Sequence, residues 1–317
     1  MAQPTCSRRP GRAAQRRWRL GVRRWVAGLA LASAAGAQAH PVESLAPVQV
    51  VDSLGRRVER VAPARRVISL APHATELIAA AGGQDTLVGV IRDSDYPPVV
   101  RLVPQVGDAW QIDRERVIAL QPDLIVAWLE PAVAALQPML QTLGIPVFFS
   151  APTRLAQVPE QIEALGELLG TLSPARRAAT AWRQRLDTLR RDQAGQPVRT
   201  VFIEVGRAPL YTLNQQHIVN DIVTTCGAHN VFAQAPVVAP PVSVEAVVNA
   251  RPDLIVVAAK PTPANQRAAD EYWQRYATAL PAAARPVLID PDLLVRPGPR
   301  LLEGAAQLCQ AVRSLAP

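Results

Sequence analysis

"ERVIALQPDLIV" (residues 115–126) and "EAVVNARPDLIV" (residues 245–256) are one unit written twice. Glu115 and Glu245, Pro122 and Pro252, and the triplets Leu124-Ile125-Val126 and Leu254-Ile255-Val256 recur 130 positions apart. Each copy reads as a short helix, a proline that cannot continue it, and a buried strand rich in β-branched residues. Asp113 and Ser243 stand just ahead of the two helices, where a side-chain oxygen can cap free backbone N–H groups. A chain that repeats such a unit is expected to fold as two equivalent α/β halves.

The segments around the repeats extend that pattern. "VQVVDSLGRRVERV" alternates apolar residues about Asp52-Ser53-Leu54-Gly55, a hairpin signal. Next come a strand at "RRVISLAP", a helix at "ATELIAAAGG" and a strand at "TLVGV". "AALQPMLQTLG" and "PVFFS" repeat the helix–strand alternation, and "VPEQIEALGELLG" places Val158, Ile162, Leu165 and Leu169 on one helical face. Ser173-Pro174 predicts a helix start, with Ser173 as cap, for a charged helix over 174–192. At 1.5 Å per residue it would be about 28 Å long. After it "TVFIEV", "IVNDIVTTCG", "VEAVVNA", "LIVVAA", "ADEYWQRYATAL" and "VLID" form a second α/β series, with His217 and His229 in connecting segments. "PRLLEGAAQLCQAVRSL" closes the chain with Leu301, Ala305, Leu308 and Val312 on one stripe. The expected fold is α/β, with two parallel-sheet lobes bridged by a single long α-helix. No Gly-rich phosphate loop or GxSxG elbow follows a strand, so the sequence offers no footing for catalysis.

The formal charge of +8 suggests a nucleic-acid partner until it is located. Eight arginines (Arg8, Arg9, Arg12, Arg16, Arg17, Arg19, Arg23 and Arg24) lie in residues 1–39 with no acidic residue, so the remainder is formally neutral. A polyanion partner has no electrostatic support there. The arginine-rich start, the short apolar run "WVAGLALASAAG" and Ala37-Gln38-Ala39 read as a signal peptide cleaved near Ala39, which puts His40 at the new N-terminus and the protein in the periplasm. An uncleaved membrane anchor and twin-arginine export are the alternatives. Cys6 leaves with such a leader. Cys226 and Cys309 remain, and an even pair in an oxidising compartment favours a disulfide over two buried free thiols. With only four histidines in the chain, two thiols give no set for a structural zinc site.

"RVISLAPHATELIAAAGG", "SDYPP", "ERVIALQPDLIVAW", "RPDLIVV" and "RPGPRLLEGAAQLC" together resemble the periplasmic cobalamin (vitamin B12)-binding proteins of ABC importers, within the wider iron-siderophore, haem and B12 group. The likeness covers residues 48–317. It implies a class III-type periplasmic binding protein with a signal peptide at 1–39, an N-terminal lobe at 40–172, a connecting helix at 173–193 and a C-terminal lobe at 194–317. It also implies a non-enzymatic monomer that holds cobalamin or a related corrinoid as ligand, with no cofactor and no metal site. Its partner is an ABC permease dimer with its ATPase subunits, and Glu115 and Glu245 fall on the positions that dock onto permease arginines. Two equivalent acidic knobs suit a two-fold symmetric partner. The simpler role for each glutamate, complementing a helix dipole, is compatible with docking.

The same resemblance assigns the ligand cleft. Tyr96, Trp110 and Trp128 match aromatic cleft positions, with core packing as the alternative for the tryptophans. Asp292 and Arg296 match groups that hydrogen-bond the corrin amides or nucleotide tail, with a loop salt bridge as the alternative. His73 follows a strand end and either faces the cleft, where an imidazole can ligate a metal, or hydrogen-bonds loop backbone. Two family aromatic positions are missing: Ala239 and Val205 stand where a tryptophan and a phenylalanine are expected, and Tyr211 is a candidate replacement. Haem or an iron-siderophore is the alternative cargo, and Arg207, Arg296 and His73 keep it open. An enzyme with a metallocentre between the lobes would require clustered Cys or His ligands.

Overall fold

A computed structural model describes residues 47–281 and 284–315. The expected leader with its cleavage point, Cys6 and His40 lie outside the described residues. The predicted hairpin opens the described chain: β1 (Val48–Val51) and β2 (Arg57–Arg60) pair antiparallel. Its turn is held by the Asp52 carboxylate, which accepts from the backbone N–H groups of Leu54 and Arg56 at 2.9 Å. Gly55 closes it at φ +74°, a conformation that a side chain would strain.

The first half follows in βα alternation. β3 (Val67–Ser69), α1 (Pro72–Ala80), β4 (Leu87–Val90), α2 (Arg114–Ala119) and β5 (Leu124–Ala127) lead to α3 (Pro131–Ala134), α4 (Gln137–Thr142), β6 (Val147–Phe149) and α5 (Gln157–Leu169). Then α6 (Leu172–Gln193) runs 22 residues, about 33 Å. The second half comprises β7 (Arg199–Glu204), a small antiparallel hairpin of β8 (Gly206–Arg207) and β9 (Leu210–Tyr211), α7 (Ile218–Thr225), β10 (Ala228–Asn230), α8 (Val244–Ala250), β11 (Leu254–Ala258), α9 (Pro263–Gln274), β12 (Pro286–Ile289), α10 (Pro291–Leu294) and α11 (Leu301–Arg313).

Both sheets are parallel and share one order. The first runs β4-β3-β5-β6 and the second β10-β7-β11-β12, so each puts its second strand outside its first. The duplication extends to details. Asp113 Oδ1 accepts from Arg116 N at 2.9 Å and Ser243 Oγ from Ala246 N at 3.2 Å, so both expected caps form. Val117 and Val247 are the fully buried residues of the two short helices. Gln121 and Arg251 turn the chain at φ +44° and +46°. Asp123 and Asp253 then accept from the strand-start amides of Arg66 and Thr200.

Strand alternation sorts side chains into three cores. In β5, Leu124 and Val126 join one cluster while Ile125 and Ala127 join another; in β11, Leu254 and Val256 join the first cluster and Ile255 and Val257 a third. The first cluster is common to both halves and runs through α6. Ala175, Ala179, Trp182, Leu186 and Leu189 form the buried stripe of that helix, spaced three and four residues apart. Gly166 of α5 lets the two helices meet, because a Cβ there would lie 2.3 Å from that of Ala175. Trp182 Nε1 donates to the Pro299 carbonyl at 3.0 Å and ties α6 to the segment before α11.

Several local expectations need correction. α6 begins at Leu172, so Ser173 is inside its first turn and accepts from Arg177 at 2.8 Å instead of capping. The helix expected over 269–280 is α9, which starts earlier: Thr262 caps Asn265 N at 3.2 Å, and Pro263 occupies the first helical position. His217 is the N-cap of α7, and His229 lies in β10 rather than in a connection. Cys226 and Cys309 are joined as a disulfide that clamps α7 to α11. Closing an 83-residue loop in this way stabilises by about 4 kcal/mol in the chain-entropy account.

Candidate functional site

Open α/β sheets bind ligands in the crevice outside the carboxyl ends of their strands, where neighbouring connections leave to opposite faces. Here a cavity of about 240 Å³ lies at the carboxyl ends of strands from both halves. Leu70 and Ala71 follow β3, Ile91 follows β4 and Trp128 follows β5; Asp292 of α10 and the loop residues Arg296 and Pro297 form the opposite wall. A roomier polar groove of about 580 Å³, bordered by Arg154, Asn220 and Asp221, contains no aromatic side chain.

The structure gathers four of the expected site residues around this cavity: His73, Trp128, Asp292 and Arg296. Trp128 is 38 % exposed and meets the His73 ring edge-on at 5.4 Å. His73 is buried, and its Nε2 lies 3.0 Å from the Ser150 carbonyl, so the neutral ring donates there and leaves Nδ1 as acceptor. Burial lowers its pKa to about 4 against the opposing pull of the Ser150 carbonyl, with the Arg296 charge adding to the fall.

Tyr96 and Trp110 stand at greater remove from the cavity wall. Tyr96 is half exposed, and the Arg300 guanidinium lies 4.2 Å above its ring. Trp110 is 91 % exposed on a turn beside the cavity-lining Ala109. Asp108 holds that turn through the amides of Trp110 and Gln111 at 3.0 and 2.9 Å. Gly107, at φ +133°, is required there, since a Cβ would fall 2.2 Å from the Gln111 carbonyl oxygen.

Behind the cavity lies a charge cluster that the sequence did not announce. Glu76, buried in α1, receives Arg300 through two bonds, Nε to Oε2 at 3.0 Å and Nη2 to Oε1 at 2.6 Å. Arg296 Nη1 reaches the same carboxylate at 3.0 Å and Asp95 at 3.1 Å, while its Nη2 meets Asp292 at 2.7 Å. Burial pushes the Asp95 carboxyl up, but the hydrogen bond and charge of Arg296, with Arg300 adding, carry it below the usual range. Three carboxylates therefore surround Arg296. Glu130 also lines the cavity, has no side-chain partner among the described residues, and is held above the usual carboxylate range by burial. Glu76 lies in the family-like stretch "RVISLAPHATELIAAAGG", which assigns it no role, and Glu130 lies outside the stretches that carry the likeness.

The second half handles its buried carboxylate locally. Glu204 accepts from Trp273 Nε1 at 2.8 Å and pairs with Arg207 at 2.6 Å, so Arg207 is engaged away from the cavity. Burial raises the Glu204 carboxyl despite those partners. Tyr211 belongs to the β8–β9 hairpin and, like Val205 and Ala239, is absent from the cavity wall. Glu115 and Glu245 are both exposed, one in the first turn of α2 and the other in the first turn of α8. The Glu245 carboxyl is held below its usual range by its own backbone N–H and the Ser243 hydroxyl. Among the described residues, no group of three or more His, Cys, Asp or Glu is placed to hold a metal ion.

Two parallel-sheet lobes with a cavity at their strand ends define a ligand receptor of the periplasmic type. Residues 67–284 match the periplasmic binding protein family, and the chain belongs to it. A vitamin B12-binding protein of Pectobacterium carotovorum is 37 % identical over 257 residues, which span 80 % of this chain and 90 % of that protein. Among solved structures, the periplasmic vitamin B12 binding protein BtuF of Vibrio cholerae is 33 % identical with a TM-score of 0.72, covering 79 % of this chain and 97 % of that one. A periplasmic heme binding protein of Pseudomonas aeruginosa is 28 % identical with a TM-score of 0.67, over 80 % of this chain and 95 % of that one.

Proposed function

We propose that this protein captures cobalamin or a related corrinoid in the cleft between its lobes and delivers it to an ABC importer. The observation that carries the reading is the cavity at the strand ends, with the Trp128 face on one side and Asp292 and Arg296 on the other. A broad corrin ring edged with carboxamides needs that combination of flat apolar surface and a few hydrogen-bonding groups. A hollow of about 240 Å³ takes one edge of such a ligand. Tyr96 and the exposed Trp110 would cover the remainder, with no bond made or broken. The names of the relatives support the same cargo.

His73 serves in this reading as a wall of the site, since its Nε2 is already directed at Ser150. Glu115 and Glu245, exposed at equivalent places on the two halves, would engage the basic pockets of a permease dimer with its ATPase subunits. We assign the functional parts to 1–39 as a cleaved export signal, 40–172 and 194–317 as the ligand-gripping lobes, and 173–193 as the strut, in a monomeric periplasmic receptor.

Equilibrium retention of cyanocobalamin, hydroxocobalamin and haem on the purified chain tests the cargo. The corrinoids are expected to stay with the protein and haem to leave its Soret band unshifted; the reverse pattern refutes the corrinoid reading. Glu115→Arg and Glu245→Arg test docking. Each is expected to slow import roughly tenfold and the pair to abolish it, with corrinoid affinity retained.

A further inference from the structure

We propose that Glu130 is a specificity-determining residue of the cleft: its carboxylate accepts N–H from a ligand carboxamide and turns away ligands that present a carboxylate on that edge. The inference rests on the corrinoid reading above and sharpens it to the chemistry of the ring's periphery.

Charge around the cavity carries the argument. Arg296 is the cationic side chain of the lining, and its guanidinium is already shared among Glu76, Asp95 and Asp292. Arg300, next nearest, is held by Glu76 and covered on one face by Tyr96. Among the described residues that line the cavity, no guanidinium is left over to meet an incoming anion. Glu130, by contrast, lines the cavity with no side-chain partner among the described residues, and it lies two residues after Trp128 on the same wall. A partly desolvated carboxylate without a donor lowers its energy by receiving one. The carboxamide NH₂ of a corrin side chain is such a donor and forms a charge-assisted bond. A propionate in the same place would set two carboxylates against each other in a half-buried site, which is unfavourable on both Coulombic and desolvation grounds. Selection by an unsatisfied polar group is stronger than selection by shape alone, because the wrong ligand leaves that group unpaired.

The corresponding position in the second half, 130 residues on, is Lys260, which is exposed and is not among the residues that line the cavity. The carboxylate is therefore a property of one lobe and not of the repeat.

The test compares wild type with Glu130→Gln, which keeps shape and removes charge. The probes are cyanocobalamin and the isomers of its monocarboxylic acid, in each of which one peripheral carboxamide is hydrolysed. Wild type is expected to bind at least one isomer about tenfold or more weaker than cyanocobalamin, and Glu130→Gln to bring that ratio below about threefold. Thermal melting of the variant without ligand confirms that it folds. A ratio unchanged within about twofold, in a wild type that binds cyanocobalamin, overturns this inference alone. Wild-type protein that retains no corrinoid overturns the cargo reading and this inference with it.

Discussion

The two halves agree on the outside and differ on the inside. At an offset of 130 residues the outer features match: cap with cap at Asp113 and Ser243, glutamate with glutamate at 115 and 245, and positive-φ turn with positive-φ turn at Gln121 and Arg251. One strand further, the match ends. Trp128 corresponds to Ala258 and Glu130 to Lys260. Their buried acids also diverge, since Glu76 bonds two arginines from the opposite half whereas Glu204 pairs with Arg207 three residues away. A symmetric partner requires only that the outer surfaces correspond. A ligand with no such symmetry requires walls that do not.

The contrast between the buried acids offers the most severe test. Glu76→Gln leaves two largely buried guanidinium groups short of charge and is expected to cost about 3–5 kcal/mol in urea denaturation. Glu204→Gln keeps a hydrogen-bond acceptor for Trp273 and removes a charge that burial already disfavours, so about 1–2 kcal/mol is expected. Equal losses would show that the bond between halves has no special weight.

Each half also holds one neutral histidine removed from solvent, His73 fully and His217 in part, and desolvation lowers the pKa of both to about 4. The unfolded chain gains a proton on each near pH 6.5, which the folded chain refuses until about pH 4. Stability from this source is therefore complete above pH 6.5 and drains away on acidification. Between pH 7 and pH 5 the fall is about 2 kcal/mol per histidine. Glu204 works in the opposite sense: its raised folded pKa means that its ionised form costs stability near neutrality, and that cost is relieved as pH falls through the folded value. Melting curves of His73→Gln against wild type isolate the first-half share, and an unaltered acid slope would contradict it.

Ligand affinity should separate the halves as sharply. Trp128→Ala is expected to weaken cyanocobalamin by about 1.5–3 kcal/mol, while Ala258→Ser at the corresponding place should leave the dissociation constant unchanged. The smallest effect concerns the matched features. Asp113→Ala and Ser243→Ala should each destabilise by about 1 kcal/mol, and a marked inequality would break the equivalence of the two units.

How far the sequence foretold this molecule depended on the range of each interaction. The repeats, the Asp113 and Ser243 caps and the stripe of Val158, Ile162, Leu165 and Leu169 rest on residues within a few turns of one another, and all appear as expected. β10 is three residues long with an exposed middle, too brief for a period to register. Ser173-Pro174 mimics a cap, yet packing of Gly166 on Ala175 draws Leu172 into the helix first. The charge cluster was beyond reach, because Arg296 and Arg300 meet Glu76 across 220 and 224 residues. Asp292 and Arg296 could be singled out by family likeness, with the salt bridge between them as the stated alternative, but the convergence of Glu76 and Asp95 on Arg296 and of Glu130 on the same cavity required the folded chain.

The apolar cluster common to both halves has a mechanical consequence. Because α6 and its neighbours bind the halves along one side, the cleft is expected to act as a shelf with a stiff back and not as a jaw with a loose joint. Cargo on such a shelf would not be expelled by the receptor's own flexing. In the delivery role proposed above, the work of prising it free would fall to a partner that grasps the two outer ends and pulls.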